Sequence, residues 1–175
     1  MCSSDLKHSV RIQELKRAAG CAALFVALNL LAIPVIPHLI GSAFAKMRID
    51  RLMIEPGGGG VGHAFDIEIA TTDQEKALGL MFRTKLADSE GMLFSYGQAQ
   101  DITMWMHNTY IPLDMVFIRA DGTIHRIEVN AEPLSERIIS AGAPVVAVLE
   151  LAGGAAARLG VKAGDKVKYA TFDAK

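Results

Sequence analysis

Hydrophobic and polar positions alternate with a period of two over HAFDIEIA, residues 63–70: Phe65, Ile67 and Ile69 share one face, Asp66 and Glu68 the other. Successive side chains of an extended chain leave on opposite sides, so this pattern predicts a half-exposed strand. RLMIE at 51–55 predicts a strand before it, joined to it by the PGGGG of residues 56–60. Four glycines could cradle a phosphate, but neither a Gly-Lys-Ser/Thr step nor a helix pattern follows, so the segment is read as a flexible hairpin loop. Thr72 followed by Glu75 forms a capping-box spacing, with Asp73 and Glu75 at the positive end of a short helix that Gly79 unwinds. GMLFSY (91–96) and ITMWMH (102–107) read as the next strands. DMVFI and TIHRIEV flank Asp121-Gly122, a pair that supplies the positive φ of a tight hairpin. VVAVLEL (145–151) is apolar on both faces, as a covered central strand must be. A helix over 154–159 stopped by Gly160, and a last strand KVKYATF, complete the series. The fold class that follows is mainly β: a compact barrel or sandwich-like single domain with two short helices.

The pattern changes at the N-terminus. Lys7, Arg11, Lys16 and Arg17 precede the apolar run AAGCAALFVALNLLAI, no charge follows until Lys46, and the segment ends in Ala43-Phe44-Ala45. A basic start, an apolar middle and a small-x-small end is the order of a secretory signal, so cleavage before Lys46 is the favoured reading. The alternative is an uncleaved anchor helix. Ala18 to Ile36 is nineteen residues, close to the roughly 20 that span hydrocarbon, although Pro34 and Pro37 break the end of it. The chain thus divides into a signal peptide or anchor at 1–45, a strand and Gly-rich loop at 46–62, and a β domain at 63–175. The expected location is the periplasm, or the inner membrane with the domain facing the periplasm.

Composition narrows the chemistry. Cys2 and Cys21 are the only cysteines, so the chain after Ala45 has no disulfide framework, thiol nucleophile or thiolate metal site. From Lys46 onward fourteen Lys and Arg stand against seventeen Asp and Glu, a formal charge of −3 without a basic run, and nucleic acid is not an expected partner. No Gly-x-Ser-x-Gly elbow surrounds Ser89, Ser95, Ser135 or Ser140. His63, His107 and His125 match no metal-ligand spacing. Met104, Trp105, Met106 and His107 hold the parts of a copper(I) site. Strand parity separates them, however, sending Met104 and Met106 to one face and Trp105 and His107 to the other. The methionines are therefore read as core filler.

Asn108 and Asp114 bracket a connection stiffened by Pro112, and Arg83, leaving the GLMFR turn, is placed to pair with Asp114. One reading is loop bracing, with Asn108 and Thr109 bonding loop amides. The other is a loop-end pocket with Trp105 as its wall. The candidate ligand-binding residues are Arg83, Trp105, Asn108, Thr109, Asp114 and Glu150, and the ligand class is a small polar molecule such as a sugar or a small acid.

The motifs FDIEIA (65–70), GLMFR (79–83), EGMLF (90–94), WMHNTYIPLD (105–114), VLEL (148–151) and LGVKAGD (159–165) occur in one order. In this the chain resembles the bacterial and archaeal family called domain of unknown function 192. The resemblance implies a compact, mainly β, often exported domain, and it brings no catalytic residues with it. His107 stands where that family commonly has Lys, which argues further against a metal role. The functional expectation is an exported domain, leaning to non-enzymatic and without a cofactor, that binds a small polar ligand or an envelope partner. The alternatives are a cell-envelope saccharide or peptide hydrolase using Asp114 and Glu150 as paired carboxylates, and copper or other metal handling.

Overall fold

The computed structural model describes residues 47–173; the expected signal or anchor segment at 1–45 lies outside them. Nine strands and three short helices follow in the order β1 (Arg48–Glu55), β2 (His63–Ala70), α1 (Asp73–Leu78), β3 (Glu90–Gln100), β4 (Thr103–Met104), β5 (Leu113–Ile118), β6 (Ile124–Ala131), β7 (Ile139–Ser140), β8 (Val145–Ala152), α2 (Ala155–Leu159), β9 (Lys166–Lys168) and α3 (Ala170–Asp173). Among the described residues no helix is long and apolar enough to cross a membrane.

Seven strands form one curled sheet in the order β6-β5-β8-β3-β2-β1-β9. Only β2 and β3 are parallel, and a parallel pair needs a crossover, which α1 and the turn after it supply. The two edges meet at one corner. Ile124 N–H donates to Asp165 O at 2.9 Å, Gly164 N–H to Ile124 O at 2.9 Å, and Val167 N–H to Gly122 O at 2.8 Å. The sheet is therefore a half-barrel whose edges are joined at the Asp121-Gly122 turn, which removes most of the exposed edge that would template aggregation. The Gly-rich loop docks beside this corner. Gly57 N–H donates to the buried Asp165 carboxylate at 2.9 Å. A Cβ on Gly57 would lie 2.5 Å from Gly164 O, so close backbone approach explains that glycine.

Each face of the sheet carries its own apolar layer. Inside the curl, Leu52, Ile54, Phe65, Ile67, Ile69, Leu93, Val116, Ile118, Leu149 and Leu151 pack with residues of α2 and α3. Outside it, Met92, Phe94, Leu113, Met115, Phe117 and Val148 pack beneath Leu80, Ile102, Met106, Ile139 and Ala141. The second layer is covered by α1 with its following turn and by the two-stranded ribbon β4-β7. Strands β5 and β8 lie under both layers, which is why LDMVFI and VVAVLELA read as continuous apolar runs.

Two expected elements differ. KVKYATF does not run as one strand: β9 ends at Lys168, and Phe172 N–H turns back to Tyr169 O at 2.8 Å. Tyr169 and Phe172 both enter the inner core, and a separation of three residues puts two side chains on one side only in a helical turn. Among the described residues the helices therefore number three rather than two. ITMWMH is paired only at Thr103 and Met104. Beyond Met104 the chain leaves the ladder, Met106 N–H bonding Ser135 O and Thr109 N–H closing a turn on Met106 O, both at 3.0 Å.

Candidate functional site

Loss of pairing after Met104 overturns the parity argument. Met106 is fully buried in the outer layer, while Met104, Trp105 and His107 line one cavity of about 110 Å3 between α1, β3 and the 103–109 loop. Trp105 and His107 stack, with ring centroids 4.8 Å apart and planes at 23°. Lys76 and Met81 on the α1 side, Tyr96 on β3, Thr109 on the loop and Glu150 on β8 complete the wall that concerns us.

The loop is held in strained backbone on both sides. Phe82 N–H donates to Asn108 O at 2.9 Å and Leu134 N–H to Thr109 O at 3.0 Å. Phe82, Asn108 and Leu134 have φ of 63°, 54° and 61°. Such values cost bulky side chains on the order of 1–3 kcal/mol each and cluster where function over-determines the backbone. Asn108 Nδ2 also reaches Met81 Sδ at 4.0 Å, so the loop and the α1 turn are tied across the mouth of the cavity.

Glu150 is the exceptional group. In the sheet its register partners are Met92 on β3 and Met115 on β5, both fully buried, and Glu150 itself is 3% exposed. Its carboxyl makes no hydrogen bond or ion pair among the described residues, and it opens on the cavity. Burial alone, with no charged neighbour contributing, pushes it up to about 8, so at neutral pH it holds its proton. Burial, and next the nearby Glu150, also raise the Tyr96 phenol above its ordinary value.

Lys76 sits at the rim, its Nζ 4.9 Å from the centroid of the Tyr96 ring. Its ionic partner is the fully exposed Asp73 at 3.8 Å, a contact that solvent weakens. The helix that presents Lys76 is fixed by the expected capping box, Glu75 N–H donating to Thr72 Oγ1 at 3.2 Å and Thr72 N–H to Glu75 Oε2 at 2.9 Å. His107 Nδ1 is 3.2 Å from Glu136 Oε1. The sulfurs of Met81 and Met104 face polar groups, Tyr96 OH lying 3.8 Å from Met104 Sδ.

Of the residues proposed from sequence, Trp105, Thr109 and Glu150 line this cavity and Asn108 braces it. Two others lie elsewhere. Arg83 does not meet Asp114; it forms a fork on Glu68, with Nη1 to Oε1 at 2.6 Å and Nη2 to Oε2 at 2.7 Å. It lines a separate hollow with Asp66 and Glu90. Asp114 is fully buried and accepts from Asn130 N–H at 2.7 Å and from Gly154 N–H and Ala156 N–H at 2.9 Å each. It ties β6 and the start of α2 to the sheet. Residues directly opposed across a ladder share a face. Glu150 is opposed to Met115 and Asp114 to Leu151, so the two carboxyls project from opposite faces. The two do not share one cleft, which a hydrolase built on that pair requires.

Lys76, Met81, Tyr96, Met104 and His107 were not among the proposed site residues. Nothing in the sequence around Lys76 marks a site, and His107 matches no ligand spacing. Only the packing of α1 over β3 brings them together.

Comparison with known proteins gives a consistent placement. The family model DUF192, described as an uncharacterized ACR, matches residues 54–169. Two crystal structures are similar over 72% of this chain. One is a candidate transcription regulator from Sinorhizobium meliloti 1021, 42% identical, with a TM-score of 0.70 and 97% of its own chain covered. The other is a protein of unknown function from Novosphingobium aromaticivorans DSM 12444, 44% identical, with a TM-score of 0.68 and 89% covered. No curated protein matches.

Proposed function

The chain belongs to the family called domain of unknown function 192, and on that footing we propose that it is an exported, non-enzymatic domain holding a small polar ligand in the cavity above Glu150. Export rests on the basic-then-apolar order of the first 45 residues. Ligand binding rests on one observation: Glu150 is buried as a residue, yet its carboxyl oxygens have no protein partner among the described residues and meet the solvent of a cavity walled by Trp105 and framed by strained loop backbone. A ligand that bonds the carboxyl supplies the partner that the protein does not. At about 110 Å3 the cavity is well under the roughly 300 Å3 of a drug-sized site, so the ligand has few heavy atoms. The transcription role attached to the Sinorhizobium protein gains no support from this chain, whose charge after Ala45 is acidic.

Trp105 is the chain's single tryptophan and reports on its own pocket. Native mass spectrometry of the full-length chain purified from its own cell envelope should reveal a noncovalently held small molecule. Its removal and return should shift Trp105 emission, and Glu150→Gln should abolish the response. A folded chain that carries no such mass and whose emission ignores the envelope small-molecule fraction would falsify the reading.

A further inference from the structure

The cavity presents a carboxyl, an amine and an apolar wall, which together point to a ligand class. We propose that it receives a small amino acid in zwitterionic form, its ammonium on the Glu150 carboxyl at the floor, its carboxylate toward Lys76 at the rim, and its short side chain against Trp105 and Met104. This deepens the ligand-binding reading above and rests on it.

Glu150 lacks what a buried acid ordinarily has. No protein cation or donor meets this carboxyl among the described residues; its flanking positions are taken by Met92 and Met115, and its oxygens face the cavity. A ligand ammonium supplies both a counter-charge and hydrogen-bond donors. Lys76 shows the complementary deficit. Its side chain is 19% exposed, yet its ion pair, at 3.8 Å, is to a carboxylate wholly in solvent.

The remaining titratable groups facing the cavity are His107, engaged with Glu136 at the surface, and the Tyr96 phenol. A ligand carrying only an amine meets the like charge of Lys76. A ligand carrying only a carboxylate leaves Glu150 without a counter-charge. A zwitterion satisfies both ends at once, each end's attraction offsetting the desolvation of the ligand charge it meets. The thioethers of Met81 and Met104 and the Trp105 face give polarizable, apolar cover to a methyl or methylene group.

Ionisation gives a readout beyond affinity. Glu150 holds its proton at neutral pH and must release it to pair with an ammonium, so binding should expel a proton to the buffer.

Isothermal titration of the full-length chain tests this with L-alanine, ethylamine, propionate and silver(I) as probes. L-Alanine should bind at least tenfold tighter than ethylamine or propionate. Its heat should differ between two buffers of unlike ionisation enthalpy by an amount equivalent to close to one proton released at pH 7. Glu150→Gln should weaken L-alanine at least tenfold and remove the buffer dependence. Lys76→Met keeps an unbranched side chain of similar length over Tyr96 and should weaken L-alanine at least tenfold and leave ethylamine unweakened, with an unchanged melting temperature checking that the fold is kept. Equal affinity for L-alanine and a one-ended analogue overturns the proposal. So does silver(I) as the sole binder, which would restore the sulfur-ligand reading. In both cases the cavity remains a binding site. If no probe binds, the proposal also falls, and the co-purifying mass then decides the broader reading separately.

Discussion

Replacing Glu150 by Gln should stabilise the protein, and by an amount that depends on pH. Burial raises the carboxyl from an ordinary 4.5 to about 8, so the folded state binds its proton more tightly than the unfolded state does. Stability from this group is fully present below roughly pH 4.5 and declines as pH rises toward 8, because the unfolded chain gains the free energy of ionising and the folded chain does not. At about 1.36 kcal/mol per unit, the loss is roughly 2 kcal/mol at pH 6, about 4 at pH 7.5 and about 5 above pH 9. Glutamine has nearly the same shape and cannot titrate. It resembles the protonated acid that the site already holds at neutral pH, so its own cost is a constant offset.

The assay is urea unfolding of the full-length wild type and Glu150→Gln, without added ligand, at intervals from pH 4 to 9. The quantity of interest is the difference between the two curves, since every other carboxylate and histidine is common to both and cancels. With a slope of about 2 kcal/mol per molar urea, the midpoint of Glu150→Gln should gain about 2 M on wild type between pH 4.5 and 7.5. Parallel curves across that interval would mean that the carboxyl is ionised in the folded state, hence hydrated or paired. Both the missing partner and the ligand-binding argument built on it would then be withdrawn. A variant more stable and yet unable to bind is the expected combination where a site is kept at the expense of the fold.

Asp114→Ala should cost at least 3–5 kcal/mol, since it strands three amide donors at roughly 1–3 kcal/mol each; thermal or urea unfolding measures it, and preserved ligand affinity in the fraction that still folds checks that Asp114 is structural. Thr72→Ala removes the cap of α1 and should lower stability by about 1 kcal/mol; because α1 carries Lys76, titration calorimetry should show L-alanine binding several-fold weaker as well. Gly91→Ala places a Cβ 2.7 Å from Glu150 O and 2.9 Å from Leu151 Cδ2, within the β3–β8 pairing, and should cost about 1–3 kcal/mol by overpacking; an unchanged melting temperature would show that β3 and β8 can separate without penalty.

Much of the fold was legible because one rule, alternation, governs strands covered on one side. HAFDIEIA forms β2 with the expected buried set, the Thr72–Glu75 box caps α1, and the double-apolar run lies at the centre of the sheet. The rule fails where pairing stops. Trp105 and His107 follow a two-residue strand, and a turn at Asn108 with φ of 54° rotates them onto the cavity that Met104 also lines. Parity is a property of a ladder, and ITMWMH leaves its ladder after two residues. Arg83 failed for another reason: a long cation can reach several carboxylates, and nothing local to GLMFR prefers Glu68 over Asp114.

The two acids of the central strands show what a sequence can and cannot decide. Asp114 interrupts β5 and Glu150 interrupts β8, each a lone charge in a run otherwise apolar and buried. Such breaks of a local rule mark functional or specially compensated positions. Sequence could not say which kind each was, because the compensation comes from distant chain. Asp114 points into the curl, where Asn130, Gly154 and Ala156 bring three amides. Glu150 points the other way, between two methionines, and receives none. One residue of register separates Leu151 from Glu150 as the partner of Asp114. With the first, one acid is structural and the other is left open to a ligand; with the second, the two would have shared a face and could have acted as a pair.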